Sequence, residues 1–488
     1  MKKQENPNKS ELIKYSFYNY IGAFIGVFSN LFIYSTNQQF LGILRYIESL
    51  AYVIWPLILM GASASLINFS PKLKLEYNVK LFSYAILTIL RNSFFAFCIL
   101  YIGFDYFSEF FKLDYIYLPV LLALLLACID LLKKQLTIQS IIAFPSVLDN
   151  LMPKIILPTI FIMYYYDFID YHITGLSIYI TSFFLLLLVL LFYGYRRKSF
   201  SFTIKTKSFF DVVSKKEYFN YSFFALAGSL GYLFVFKLDT LMIPNLISFK
   251  ANGVYSIATV AASVIFIPAR GMFSLYAPLV SKLIKNNKLT DLNVLYKDVA
   301  KTLLFLGLLI YSAIFLGIEN LFQIMPAKEV LLQTVSVIFI IGLTSVFNMA
   351  TGFNSEIINF SKYYKFNLIA LGVLTFLNLI CNYVFILYFN WGIEGAALAS
   401  FLSIIIYNSF KVVFIYIRMG LLPFDYKFLK LLLVQVALIS FFSFLPELSN
   451  PYLNFAYKVV GVLSAQLYII YKSEWVVSYN SICDKYFN

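Results

Sequence analysis

Two stretches of the sequence resemble each other and decide how the chain is organised. Residues 14–26 read KYSFYNYIGAFIG, and residues 220–231 read NYSFFALAGSLG. Each places Tyr-Ser-Phe and a spaced glycine at the start of a long apolar run, so that Tyr15 and Gly22 match Tyr221 and Gly228. Because the glycines coincide as well as the apolar residues, the pattern indicates an internal duplication.

The similarity continues along both copies. The stretch FLGILRYIESLAYVIWP at 40–56 corresponds to KANGVYSIATVAASVIFIP at 250–268, with Gly42 on Gly253 and Pro56 on Pro268. The chain is therefore predicted to contain a unit of six membrane spans twice, followed by two further spans. Because six is an even number, both copies enter the membrane from the same side, and their symmetry axis runs along the membrane normal.

The amino-acid composition indicates that this chain lies in a lipid bilayer. Of 488 residues, 61% are hydrophobic and only 13% are charged, which is too apolar for a soluble core. A membrane span needs about 20 apolar residues, and runs of that length recur along the chain. Their even apolarity favours helices over a β-barrel. Fourteen helices are predicted near 15–36, 42–69, 84–107, 116–142, 150–168, 173–194, 218–246, 253–281, 301–320, 331–360, 366–388, 394–417, 428–446 and 453–471.

Most of the 38 basic residues lie in alternate loops, which predicts that both termini are cytoplasmic. The net charge of +14 is interpreted as contact with anionic membrane lipids, and no nucleic-acid partner is expected, because the basic residues are spread over every inner loop. The predicted segments are a cytoplasmic N-terminus at 1–14, an N-lobe at 15–200, a basic cytoplasmic linker at 201–217, a C-lobe at 218–417, two further spans at 418–471 and a cytoplasmic tail at 472–488.

Cysteine and histidine give no sign of a metal, a disulfide or a cofactor. Cys98, Cys128 and Cys381 lie in apolar runs, and Cys483 lies in the predicted inner tail. His172, the single histidine, is in a predicted outer loop. We expect no metal, no cofactor and no catalytic residue.

Two segments resemble a known transporter group. The stretch KLDTLMIPNLISFKANGVYSIATVAASVIFIPARGMFSLYAPLVSKL at 237–283 is similar to the seventh and eighth spans of the multidrug/oligosaccharidyl-lipid/polysaccharide (MOP) exporter superfamily. NWGIEGAALA at 390–399 resembles the turn between its spans eleven and twelve, where small residues let helices approach closely. Fourteen spans and a basic character resemble the polysaccharide-transport branch, the O-antigen flippases.

The resemblance implies a MATE-like fold with two six-helix lobes and two C-terminal helices. It also implies a function: export of an undecaprenyl-diphosphate-linked oligosaccharide from the cytoplasmic to the outer leaflet of the bacterial inner membrane, for O-antigen or another surface polysaccharide. Such a protein is a transporter and not an enzyme. A coupling ion, H⁺ or Na⁺, stays open, as does the identity of the glycan.

Charged residues within apolar spans are costly and mark candidate binding sites for an anionic headgroup. Arg270 lies deep in the eighth span, and its repeat mate near Leu59 is apolar, which favours a functional role. Lys237 and Asp239 lie toward the outer end of the seventh span. They are two residues apart, so on a helix they do not face each other.

Two further arginines are candidates at the ends of spans. The repeat aligns Arg91 with Lys301, at the cytoplasmic start of a span, where it could meet the diphosphate on entry. Arg45 is predicted at the outer mouth, either paired with Glu48 or contacting substrate. Asp130 and Lys134, four residues apart, are expected to pair with each other.

The charges within the spans, the short loops and the duplicated lobe argue against three other classes of membrane protein. A drug exporter of the same fold is the nearer alternative, but it would need acidic residues for cations within the lobes, whereas the deepest charge here is basic. A polymerase or glycosyltransferase would need a large outer loop with an acid–base pair, and the predicted outer loops are short. A structural membrane protein would not need a duplicated lobe.

Overall fold

The computed structural model describes residues 22, 24–139, 141, 143–203 and 207–476. The predicted N-terminus at 1–14, the repeat residues Tyr15, Ser16 and Phe17, and the tail beyond residue 476 with Cys483 lie outside the described residues. The chain forms two compact units, Met1–Gly253 and Val254–Asn488. The boundary follows residue 253, whereas the repeat places the linker at 201–217, and the assignment of the two lobes stays a prediction.

Every regular element in the described part of the chain is helical. The helices of the first unit and of the unit boundary are α1 Phe24–Thr36, α2 Gln38–Leu59, α3 Ala62–Phe69, α4 Leu75–Ile102, α5 Phe104–Phe111, α6 Tyr117–Ile138, α7 Ala143–Tyr165, α8 His172–Arg196, α9 Lys215–Leu246 and α10 Phe249–Ser263. Those of the second unit are α11 Ile267–Lys285, α12 Leu289–Gln323, α13 Lys328–Leu332, α14 Val335–Ala350, α15 Asn354–Phe360, α16 Tyr364–Tyr383, α17 Gly392–Met419, α18 Tyr426–Ser443 and α19 Pro451–Ser473.

Each predicted span from the second onward coincides with a helix or with two helices separated by a short break. Ten helices of the described chain are long and apolar enough to cross a membrane, and the bent pair of α14 and α15 makes an eleventh. The long helices α6 and α9 fall outside this count, and α6 carries Asp130, Lys133 and Lys134 near its end. The chain is a multi-pass membrane protein.

An antiparallel seam between the α2–α3 segment and α9 organises the first unit. Pairs of polar side chains join the two sides along its length, because hydrocarbon offers no other hydrogen-bond partners. Their donor–acceptor distances are 3.0 Å for Asn245 and Tyr46, 2.7 Å for Ser49 and Thr240, and 2.8 Å for Ser65 and Ser222.

At one end of the seam, backbones touch at two glycines that the repeat had matched to each other. A β-carbon at Gly42 would lie 1.7 Å from the carbonyl oxygen of Phe249, and one at Gly253 would lie 1.9 Å from the carbonyl oxygen of Gln38. The Asn252 side-chain amide also donates to the Gly42 carbonyl, at 2.9 Å. The contact is thus reciprocal, and only residues without a side chain fit at either position.

The second unit is built around α12, which packs against α14, α18 and α19. Tyr296 and Phe353 are among its largest fully buried side chains. Asp425 caps α18 by accepting from the Phe428 amide, at 2.7 Å, and it also accepts from Lys301 Nζ, at 2.9 Å. Burial acts to raise the pKa of Asp425, but these two hydrogen bonds outweigh it and hold that pKa below its usual range.

The glycine contact yields a stability prediction with internal controls. Gly42→Ala and Gly253→Ala should each destabilise the protein by about 1–3 kcal/mol, because the added methyl group forces two backbones apart. Gly228→Ala and Gly271→Ala should leave stability unchanged or raise it, because nothing lies within 4 Å of their β-carbon positions and alanine favours a helix. Thermal unfolding of the four variants in detergent measures the difference, and equal midpoints would contradict the contact.

Candidate functional site

One face of α2 carries a continuous row of polar and aromatic side chains. Arg45, Glu48, Tyr52, Trp55 and Leu59 are spaced by three or four residues, so they lie one above the other on the helix. Glu48 and Leu59 are buried, and the other three are partly buried. We call these five residues the α2 row.

A buried ion pair forms the first part of the α2 row. Arg45 Nη1 lies 2.7 Å from Glu48 Oε2, so the structure shows the first of the two alternatives that the sequence left open for Arg45. The second oxygen of the carboxylate accepts a hydrogen bond from the hydroxyl of Tyr179 on α8. Glu48 is only 6% exposed, so its charge is desolvated and depends on these two partners.

Lys237 brings a second positive charge to the same place from α9. Its Nζ lies 4.8 Å from the centroid of the Tyr52 ring, a cation–π distance. Its charge also acts on the Glu48 carboxylate, as does that of Arg45. Two cations therefore surround one carboxylate, and this buried group of three has a net charge of +1.

The α2 row leads into a cavity of about 470 Å³ in the first unit. Trp55, Pro56 and Leu59 contribute to its wall. Its other lining residues are Gly61, Ser63, Ala64, Ile67, Asp130, Lys134, Tyr221, Ala225 and Ser229. Among the described residues, the indole N–H of Trp55 has no hydrogen-bond acceptor.

The expected pairing of Asp130 with Lys134 was wrong. In the described part of the chain these two residues form no ion pair, and Lys133 instead bridges α6 and α7 by binding Asp149. A carboxylate on a facing helix was available to the neighbouring lysine, which sequence spacing within one helix could not reveal. Asp130 and Lys134 both line the cavity.

The remaining predicted site residues are dispersed. Asp239 on α9 is half-buried and Arg91 on α4 is exposed, with its guanidinium 3.2 Å from the Asn92 side-chain oxygen. Arg270 on α11 is exposed, and it has no hydrogen bond or ion pair to any other described residue. Of the five predicted residues, the structure brings Arg45 and Lys237 together; the site roles of all five stay predictions.

Sequence reasoning missed the aromatic part of this cluster. Tyr52 and Trp55 could have been found from the sequence, because they follow Arg45 by seven and ten residues. These spacings are about two and three helical turns and place them on the same face as Arg45. Tyr179 could not, because it lies on a helix more than 120 residues away along the chain and reaches Glu48 only through tertiary packing.

No protein-family model and no curated protein sequence matches this chain. Solved structures do. The lipid II flippase MurJ in an inward closed conformation matches 94% of this chain and 99% of its own, with a TM-score of 0.70 and 15% sequence identity. An inward-facing multidrug resistance MATE family transporter of the MOP superfamily matches 83% of this chain and 94% of its own, with a TM-score of 0.60 and 12% identity.

The Vibrio cholerae MATE transporter VcmN gives a TM-score of 0.55 at 14% identity, over 83% of this chain and 96% of its own. This chain shares the fold of these three structures. The predicted fold class, an all-α polytopic membrane protein, is confirmed. These structural neighbours are transporters and flippases.

The ion pair at this site yields a second stability prediction. Glu48→Ala should cost about 3–5 kcal/mol, because it leaves Arg45 and Lys237 as buried cations without a counter-charge. Tyr179→Phe should cost less, about 1.5–3 kcal/mol, because it removes one hydrogen bond to a charged group. The yield of folded protein and its thermal unfolding in detergent measure both.

Glu76→Ala is the matched control for Glu48→Ala. Glu76 also pairs with a lysine on its own helix, Lys80, but its side chain is 73% exposed. Solvent screens such a pair, so its loss should change little. A Glu48→Ala protein as stable as the Glu76→Ala protein would show that the buried cluster is not held together by charge.

Proposed function

We propose that this chain is a lipid-linked oligosaccharide flippase. It moves undecaprenyl-diphosphate-linked glycan repeat units from the cytoplasmic to the outer leaflet of a bacterial inner membrane, for O-antigen or another surface polysaccharide. The α2 row carries this proposal, because it joins a cluster of two basic side chains and one carboxylate to a cavity lined by polar, aromatic and aliphatic residues. The lipid II flippase among the structural neighbours supports it by analogy of fold alone.

The cationic cluster suits the diphosphate of such a lipid. An anionic headgroup cannot cross hydrocarbon unaided, and a guanidinium can bind phosphate through two parallel hydrogen bonds. Arg45 uses one terminal nitrogen for Glu48, which leaves other N–H groups for a phosphate. Glu48 lowers the cost of holding two cations in the membrane while leaving one net positive charge for the substrate.

The cavity suits the glycan. Trp55 and Tyr221 line it, and aromatic side chains offer a flat apolar face together with a polar group. The indole N–H of Trp55, without an acceptor among the described residues, can donate to a sugar hydroxyl. Asp130 and Lys134 on α6 also line the cavity and add an acceptor and a donor.

Alternating access needs a contact that can open. In the proposed lobes, 15–200 and 218–417, Gly42 belongs to the N-lobe and Gly253 to the C-lobe, and both are at the end proposed to face outward. Their close backbone contact supports a closed outer end in this conformation. Release of a headgroup to the outer leaflet would require these two backbones to separate.

Arg270 is proposed as a second contact for the diphosphate. Its side chain is exposed and forms no ion pair with the described residues. A guanidinium that faces lipid is costly, which favours a position facing a water-filled path. Arg91 and Asp239 are proposed as further substrate contacts, and membrane lipids and a coupling ion, H⁺ or Na⁺, as partners.

A multidrug exporter of the same fold is the alternative. The fold is equally compatible with this function, because two of the structural neighbours are MATE transporters. The two functions differ in what loss of the protein does. If the chain is a flippase, a strain that lacks it should retain lipid-linked oligosaccharide on the cytoplasmic leaflet and lose surface polysaccharide, with unchanged tolerance to drugs and dyes.

Leaflet-specific labelling of the lipid-linked oligosaccharide tests the flippase function. Minimal inhibitory concentrations of drugs and dyes, measured in the same strain, test the exporter function. Re-expression of the wild-type chain is the control and should restore surface polysaccharide. Normal surface polysaccharide together with new dye sensitivity would reject the flippase and support the drug exporter.

Arg270 variants test the second proposed contact. Arg270→Ala should insert at the normal level, because no described carboxylate loses a partner, but it should lose transport. Arg270→Lys should keep part of the activity, because an ammonium keeps the charge but lacks the bidentate geometry, and Arg270→Glu should keep none.

The measurement for these variants is surface polysaccharide per amount of inserted protein. Glu48→Ala provides the contrast, because there the amount of inserted protein should fall together with activity. A wild-type ratio for Arg270→Ala would remove Arg270 from the proposed path.

A further inference from the structure

The second unit contains a buried polar cluster where α14 bends into α15. The two helices meet at 47°. Asn354, at the start of α15, donates from its amide to Thr351 Oγ1 at 3.1 Å and to Asn408 Oδ1 on α17 at 3.0 Å. Asn408 in turn donates to Asn348 Oδ1 on α14 at 3.1 Å. These hydrogen bonds connect α17 to both sides of the bend.

Lys411 lies three residues after Asn408 and extends the cluster along α17. Its side chain is 0% exposed. Its Nζ is hydrogen-bonded to Ser355 Oγ on α15 and lies 3.2 Å from the Tyr407 hydroxyl. It also lies 4.4 Å from the centroid of the Tyr407 ring. The amine is therefore held by hydroxyl groups and an aromatic ring.

Two other buried lysines in the second unit have carboxylates as partners. Lys301 Nζ lies 2.9 Å from Asp425 and 3.2 Å from Asp298, and Lys458 Nζ lies 3.5 Å from Glu447. Each is 5% exposed. Lys411 is more deeply buried than either, yet no carboxylate oxygen of the described residues lies within 4.0 Å of it.

The titratable groups around Lys411 are few. On α15, Glu356 is half-buried and its charge acts on Lys411; on α17, Tyr407 contacts it directly. The sequence of α14 contains no titratable residue. On α16 and the residues that follow it, Tyr364, Lys365, Tyr383 and Tyr388 are exposed, and Cys381 bonds to Ser403, two turns of α17 away.

Hydroxyl partners suit both protonation states of an amine. They accept hydrogen bonds from a charged ammonium, and they can donate to the lone pair of a neutral amine. An ionised carboxylate can only accept hydrogen bonds, so it favours the charged ammonium. Burial without an adjacent counter-charge makes a lysine change its protonation state readily.

We propose that Lys411 is a proton-binding site of the second unit, and that binding of a proton there fastens α15 to α17 and so sets the bend between α14 and α15. The ligand is a proton exchanged with water: the ammonium donates to Ser355 and Tyr407, and loss of the proton weakens that clamp. The assignment of Lys411 deepens the proposed transport function by naming the coupling ion as H⁺ and its site.

The test measures the bend directly in the full-length protein in lipid nanodiscs, without substrate. Spin labels at Leu343→Cys on α14 and Phe360→Cys on α15, both exposed, report the distance across the bend after the native cysteines are replaced. The labelled protein with the native Lys411 should show two label-to-label distances. Their relative populations should change between pH 5 and pH 10 with a single midpoint.

Variants at Lys411 should remove that pH response in opposite directions. Lys411→Arg stays protonated throughout and should hold the low-pH population, whereas Lys411→Met should hold the high-pH one. Glu356→Gln should move the midpoint to lower pH, because a carboxylate no longer favours the ammonium. Lys365→Met removes an exposed lysine from the same unit and should behave as the wild type.

A distance that does not change with pH, or a pH response that survives in Lys411→Arg, would overturn the proposal even if Lys411→Met failed to fold. This outcome is separable from the fate of the flippase. A pH-sensitive bend in a chain whose loss leaves surface polysaccharide unchanged would keep the proton site and reject the flippase. A fixed bend in a chain required for surface polysaccharide would do the reverse.

Discussion

Hydrocarbon offers no hydrogen-bond partners, so polar side chains on one helix must pair with polar groups of a neighbouring helix. This constraint determines which helix faces pack against each other. In the first unit it is met by the seam between the α2–α3 segment and α9, where polar side chains pair across the interface and two backbones touch at glycines. Once the seam is fixed, the face of α2 that carries Arg45 and Glu48 can turn toward α8 and Lys237. The ion pair and the cavity therefore both depend on the packing of one helix.

Two buried charged groups, Glu48 in the first unit and Lys411 in the second, have different kinds of partner. In the first, Glu48 is shared by Arg45, Lys237 and the hydroxyl of Tyr179, so opposite charges are close together. In the second, the described residues that contact Lys411 Nζ offer it two hydroxyls and an aromatic ring. A nearby carboxylate favours the charged form of a basic group, whereas burial without one favours the neutral form. The first arrangement is the one proposed as a binding surface, and the second is the one proposed as a proton site.

The aromatic residues fall into two groups, those on the exposed surface of the helices and those with a defined polar contact. Of the 39 tyrosines and 53 phenylalanines, many are exposed on the surface of the described helices, where they can contact lipid. A smaller group has a defined polar contact: Tyr179 donates to Glu48, the Tyr52 ring faces Lys237, and the Tyr407 hydroxyl meets Lys411. Their number alone carries no functional information, because an interfacial tyrosine and a site tyrosine look identical in sequence.

The sequence by itself determined that the chain is a helical, multi-pass membrane protein, because apolar composition and span length follow directly from the thickness of the bilayer. It also determined the correspondence of Gly42 with Gly253, because a repeat can be read from the sequence alone, and helical spacing allowed the pairing of Arg45 with Glu48 as one of two alternatives. Only the tertiary structure decided that Lys133 pairs with Asp149, that Tyr179 and Lys237 complete the cluster at Glu48, and that Lys411 is buried without a carboxylate. These contacts join helices far apart in sequence, and the orientation of each helix about its own axis is set by the neighbours it packs against.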